Sequence, residues 1–171
     1  MNKAPITPLA LTATVICADQ LTKFLVIHFI SLGSTVPLLG DFVAMTHVRN
    51  LGMAFSLGDS LSPLLRRLFF IAAPLVVMAG VGIYYFRNSE LTKGMRWALA
   101  GILGGGIGNL IDRIARPSGV VDFMMVRVYG FLGMNYWPVF NLADSSVVVS
   151  GILLVLLFAI AERKHKEKSV E

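Results

Sequence analysis

Four stretches of this chain, residues 8–30, 64–86, 95–112 and 140–162, are each close to the length of helix that crosses a bilayer. A hydrocarbon core of about 30 Å takes about 20 mostly apolar residues of helix. The cleanest is the second, with no charge from Leu68 to Phe86 and with Pro74, which neighbouring helices can accommodate as a kink. Composition agrees: 56% of the 171 residues are apolar and 15% charged, against roughly 25% charged in soluble domains. Disorder is excluded and an ordinary soluble fold is disfavoured.

The length suits a single domain, residues 1–171. Lys3 followed by an apolar run has the look of a secretory signal, but Asp19 and Lys23 interrupt the run and no small-x-small cleavage site follows, so a cleaved leader is not expected. Val15-Ile16-Cys17 lacks the small residue that normally precedes a lipidated cysteine. Cys17 alone makes neither an internal disulfide nor a multi-cysteine zinc site. His28, His47 and His165 are isolated and form no H-E-x-x-H pair. The net charge of +5 is not laid out as a basic stripe with interleaved aromatics, so no nucleic-acid partner is expected.

Orientation follows from the cations flanking the spans. With the N-terminus inside, the cytoplasmic side collects Lys3, Arg87, Lys93, Arg96, Arg163, Lys164, Lys166 and Lys168, and the outer side Arg49, Arg66, Arg67, Arg113, Arg116 and Arg127. Both termini are then cytoplasmic, and Tyr136 and Trp137 fit the interface before the last span. The outer loop, residues 31–63, holds a stretch from Val36 to Phe55 rich in Val, Thr, Phe and Leu, with Gly33, Gly40, Gly52 and Gly58 punctuating the loop, which reads as short strands and turns. The expected fold is an all-α membrane protein: four transmembrane helices with a small extracytoplasmic β-sheet, a cradle, between the first and second helices. No internal repeat suggests an inverted-repeat transporter.

A charge in hydrocarbon costs at least about 2.5 kcal/mol, so charges within spans face the bundle interior and often mark a site. Asp19 and Lys23 are spaced i, i+4, acid first, as a helical ion pair prefers, and read as a structural polar pair. Gly101, Gly104, Gly105 and Gly108 form small-xxx-small faces for close packing. They are no phosphate loop, because no Gly-Lys-Ser/Thr follows and Asn109 breaks the dinucleotide pattern. Asn109, Asp112, Arg113 and Arg116 share one helical face, either as a buried polar network or as a capping cluster. Asp122 and Asp144 both fall near the outer interface in apolar surroundings, where the helix ends can meet. Two carboxylates in contact cannot both ionise and share a proton. Such a pair can hydrolyse an amide without a metal, one member taking a proton from water while the other polarises the carbonyl; it could equally bind a cation.

Five blocks, in order, resemble the bacterial lipoprotein signal peptidases, the signal peptidase II family of aspartyl intramembrane peptidases. Asp19-Gln20-Leu21-Thr22-Lys23 is similar to D-Q-x-[ST]-K, Asn50-Leu51-Gly52-Met53-Ala54-Phe55 to N-x-G-x-A-F, and Gly104 to Arg113 to G-G-A-x-G-N-x-x-D-R. Val120 to Phe123 is similar to V-V-D-F, and Phe140 to Asp144 to F-N-x-A-D. The resemblance implies Asp122 and Asp144 as the catalytic dyad, with Asn50, Asn109, Asp112, Arg113 and Asn141 as the polar residues around it and Asp19 and Lys23 supporting the core. Gly52 and Arg116, within or beside the same blocks, join the expected supporting set. It implies cleavage of prolipoprotein signal peptides just before a cysteine carrying diacylglycerol, in the bacterial inner membrane near its outer face. The partners are then diacylglyceryl prolipoproteins and membrane lipids, with no cofactor and no metal. A monomer is expected, although glycine faces serve a dimer as readily. Gly106 stands where the family often has Ala, and residues 124–139 are long for the family. Two rivals remain: a small ion-coupled transporter, which predicts acids near the midplane and brief loops, and a metal-dependent lipid-headgroup transferase, which a chelator would stop.

Overall fold

The computed structural model describes residues 4–51, 62, 64–65 and 68–168. Helix α1 (Leu9–Phe29) is followed by a hairpin of β1 (Thr35–Leu39) and β2 (Val43–Asn50). A π-helical turn, Leu68–Ala72, leads into α2 (Ala73–Arg87). Then come α3 (Lys93–Ala115), β3 (Val120–Val126) and α4 (Leu142–Lys168). Pro74, which has no N–H to donate, lies where the widened π turn passes into α2, so the break in the hydrogen-bond ladder falls at an irregular turn of a continuous helix. At the start of α3 the Thr92 hydroxyl accepts from the Met95 amide at 3.3 Å, an N-cap that fixes where the helix begins.

Among the described residues, three helical segments are long and apolar enough to cross a membrane: Leu9–Phe29, Leu68–Arg87 and Leu142–Glu167, with mean hydropathies of 1.5, 2.1 and 2.3. Their large apolar side chains point outward. Phe24, Leu25, Val76, Val77, Val149 and Val155 are exposed, while Asp19 and Lys23 are 0% exposed. Polar inside and apolar outside is the arrangement that hydrocarbon selects. The third expected span, α3, is long enough but carries Lys93, Arg96, Asp112 and Arg113, and it falls outside that apolar set. The other helices cover it: most of its residues from Ala98 to Leu110 are buried, so little of its surface needs to match lipid. Glycine makes that close packing possible. A Cβ on Gly104 would lie 2.8 Å from Val15 Cβ, and one on Gly108 would lie 2.8 Å from Asp19 Oδ2.

The sheet is antiparallel with order β1-β2-β3. Its first two strands lie in the chain between α1 and α2, as the sequence predicts, but the third comes from the segment after α3. The sheet is therefore not confined to the connection between the first two helices. Val120-Val121 and Phe123 suit a pleated half-buried surface, and Val121 and Phe123 pack with Val26 of α1 in a buried cluster. Gly119, at φ +96°, opens this strand so close to β2 that a Cβ would lie 2.5 Å from the Asn50 carbonyl oxygen. The register sets Val48 opposite Asp122 and Asn50 opposite Val120. The strand signal expected from Val36 to Phe55 ends at Asn50; Gly52 and the rest of its block lie outside the described residues.

Candidate active site

β3 carries Asp122 in beside the start of α4, where Asp144 sits in the first helical turn. Between them is Asn141. Its side-chain Nδ2 donates to Asp122 Oδ1 at 2.7 Å, and its backbone amide donates to Asp144 Oδ2 at 3.0 Å. The Asp144 amide returns a bond to Asn141 Oδ1 at 2.9 Å. A single residue thus joins both carboxylates.

Each carboxylate has a second donor. Asn50, at the end of β2, donates from Nδ2 to Asp122 Oδ2 at 2.8 Å. Asn109, on α3, donates from Nδ2 to Asp144 Oδ1 at 2.7 Å. The direction of the Asn109 amide is set by its other end: Oδ1 accepts from Lys23 Nζ and from Asn141 Nδ2, both at 3.0 Å, which leaves the NH₂ facing Asp144. Asp122 is 3% exposed. Burial pushes its carboxyl up to about 6; the Asp144 charge adds to the rise, while hydrogen bonds from Asn50 and Asn141 pull against it.

Beneath this pair lies a second layer, fully buried. Lys23 Nζ pairs with Asp19 Oδ2 at 2.8 Å and with Asp112 Oδ2 at 3.2 Å. Asp19 Oδ1 accepts the Ala143 amide at 3.0 Å, and Asp112 Oδ2 accepts the Val121 amide at 3.1 Å. Each acid therefore holds the amide of the residue immediately before one of the two site aspartates. The expected structural pair is thus part of a triad, and Lys23 reaches the site through Asn109.

Arg116 pairs with Asp112 and donates to Gln20 Oε1 at 3.2 Å, one layer away from the two carboxylates. Arg113 is half-buried, its charge is felt electrostatically by Asp144 and Asp122, and its Nε is buried without a hydrogen-bond partner. Gly52 lies outside the described residues. Gln20 has no role legible in the sequence, yet its Nε2 lies within 3.1 Å of Asp19 Oδ2 and the Gly108 carbonyl and 3.0 Å from Asp112 Oδ1. Its place between Asp19 and Lys23 in one block was the available signal. Among the described residues, no group of three His, Cys, Asp or Glu side chains is arranged to hold a metal ion.

The arrangement offers two acids at the edge of the membrane-spanning bundle, oriented by amides and backed by a buried charge network. Comparisons with known proteins agree on one family. The model for signal peptidase (SPase) II matches residues 11–160. The lipoprotein signal peptidase of Treponema denticola is 44% identical over 163 residues, covering 94% of this chain and 94% of that one. Those of Treponema pallidum and Borrelia hermsii are 42% and 43% identical, covering 92% and 90% of this chain and 85% and 87% of theirs. Two solved bacterial membrane enzymes, determined by the in meso method at 2.3 and 1.9 Å, superpose with TM-scores of 0.77 and 0.78. Each is 25% identical, over 93% and 92% of this chain and 92% and 97% of theirs.

Proposed function

The chain belongs to the signal peptidase II family, whose members remove signal peptides from prolipoproteins, and we propose that it does so with Asp122 and Asp144 as a metal-free acid–base pair. The scissile bond is the one just before a cysteine that carries diacylglycerol. The observation that carries this reading is the double hold of Asn141 on both carboxylates.

Asp144, at the positive end of α4, takes the base role. Asp122, raised toward 6 by burial, bears the proton. Asp144 accepts a proton from a water whose oxygen attacks the peptide carbonyl carbon, while Asp122 gives its proton to the carbonyl oxygen. A neutral gem-diol results. As it collapses, the C–N bond breaks, the cysteine nitrogen takes the proton from Asp144, and a diol hydroxyl returns one to Asp122. The pair ends as it began, and no covalent intermediate forms.

In this reading α3 crosses the bilayer as a fourth span. Its own residues are shielded by α1, α2 and α4 rather than matched to lipid. Both termini are cytoplasmic, the site lies near the outer face of the inner membrane, and the protein acts as a monomer. The sheet, tied to the site through Asn50 and β3, covers it from outside. Arg113 directs its charge at the pair.

The test is cleavage by the purified protein of a diacylglyceryl-modified precursor and of its unmodified counterpart, with chelator present. The modified precursor is cut and the unmodified one is not. Loss of cleavage to the chelator would point to a metal reaction and overturn the mechanism. Equal cleavage of both precursors would overturn the substrate.

A further inference from the structure

At the end of the bundle opposite the carboxylate pair, α1 and α3 both begin, and a cavity of about 360 Å³ lies between their first turns. From Lys93 to Asp112 the helix rises about 28 Å at 1.5 Å per residue, close to the thickness of a bilayer core. With α3 crossing the membrane and the carboxylates at one interface, this cavity lies at the other. Pro5, Pro8, Leu91 and Trp97 form its apolar wall, and Lys93 and Arg96 supply its charge; among the described residues no acidic one lines it.

Arg96 is 7% exposed. Its guanidinium donates to the carbonyl oxygens of Tyr85 at 2.6 Å and Asn88 at 2.9 Å, and lies 5.4 Å from the centre of the Tyr85 ring. These partners are neutral, and among the described residues no carboxylate lies within ion-pair distance of Arg96 or Lys93. A buried cation without a counter-charge is costly. Lys93, exposed at the mouth, adds a second positive charge, and the two helix N-termini add partial ones.

We propose that this cavity binds the headgroup of an anionic phospholipid from the leaflet opposite the carboxylate pair. Its phosphodiester lies toward Lys93 and Arg96, and its glycerol and acyl chains lie along Trp97 and Leu91. A basic pocket between helices at the membrane surface is the general form of such sites. The volume falls within the roughly 300–1,000 Å³ of small-ligand pockets. The inference is independent of which residues cut the substrate.

The test uses the full chain in neutral detergent, followed by native mass spectrometry and thermal unfolding. Dioleoyl phosphatidylglycerol, dioleoyl phosphatidylcholine and inorganic phosphate are added separately. Phosphatidylglycerol is retained and raises the unfolding temperature, while phosphatidylcholine and phosphate at equal concentration do neither. Lys93→Gln, at an exposed position, leaves the lipid-free unfolding temperature unchanged and weakens phosphatidylglycerol binding about fivefold; Lys93→Arg restores it. Lys166→Gln, at the same end but outside the cavity, leaves binding unchanged. Equal binding of phosphatidylcholine, equal binding of free phosphate, wild-type binding by Lys93→Gln, or an equal loss in Lys166→Gln overturns the proposal.

Discussion

Asn141 and Asp144 hold each other at the start of α4: the Asp144 amide donates to Asn141 Oδ1 at 2.9 Å, and the Asn141 amide donates to Asp144 Oδ2 at 3.0 Å. This is a reciprocal cap of the kind that satisfies two orphan amides at a helix N-terminus. Serine, threonine or aspartate could provide the acceptor. Only asparagine among the favoured caps also offers an NH₂, and here that group reaches Asp122 and Asn109. The residue that starts the helix therefore also sets the position of the two carboxylates.

Asn141→Ser separates those two duties. The hydroxyl keeps the cap, so thermal unfolding in detergent should change by the equivalent of no more than about 1 kcal/mol. The link to Asp122 is lost, and kcat should fall by about tenfold or more with KM little changed. A serine variant that cleaves at the wild-type rate would show that the link is ornamental.

Asp122→Asn and Asp144→Asn each remove one member of the proposed acid–base pair, and losing a proton-transfer group typically costs about 10² to 10⁴ in rate. Neither residue belongs to the Lys23 triad, so both variants should stay folded, as judged by their unfolding transitions. Cleavage of a lipidated precursor at the wild-type rate by either one disproves its assignment.

Much of this arrangement was readable in the chain. Apolar length marked the three segments able to cross a membrane, and the charges interrupting them marked what faces inward, because hydrocarbon permits few other placements. Asp19 and Lys23 were legible as a pair because helical spacing fixes i, i+4 neighbours. That Asp112 completes their triad was not, because it depends on how α3 packs against α1, and Gly108 decides that approach. β3 was missed for a related reason: seven residues after a helix gain strand character only by pairing with β2, and the register that sets Asp122 opposite Val48 is long-range. Gln20 is not legible because most of its contacts come from α3, whose packing against α1 is long-range.

Asp19→Ala should damage the fold more than the chemistry. It leaves Lys23 with Asp112 as its one carboxylate among the described residues, beside the Asn109 carbonyl oxygen, frees the Ala143 amide, and opens space beside Gly108. Breaking a buried pair costs about 3 to 5 kcal/mol when the remaining charge has no partner. The surviving Asp112 places the expected loss at the low end. Protein that remains folded should keep turnover within about tenfold of wild type. A well-folded variant without activity would mean that Asp19 acts in the reaction itself.

The raised Asp122 carboxyl makes a signed prediction about pH. Its value of about 6, against an ordinary 3.8, means that the folded protein holds a proton there between about pH 4 and 6 that the unfolded chain has released. Stability from this group is therefore fully present below about pH 4 and is lost as pH rises through about 6, a swing of about 3 kcal/mol for a change of this size. Activity should carry the same signature. With Asp122 as the proton-bearing member, kcat/KM declines as pH climbs through about 6. Burial of the site by substrate should move the corresponding limb of kcat upward, because exclusion of water further disfavours the charged form. Cleavage rates and unfolding transitions measured from pH 4.5 to 8 on the same preparation check both. An ascending limb near 6 would assign the proton to Asp144 and reverse the two roles. In Asp122→Asn the stability slope between pH 4.5 and 6 should flatten, which separates titration of this carboxyl from the rest of the acidic network.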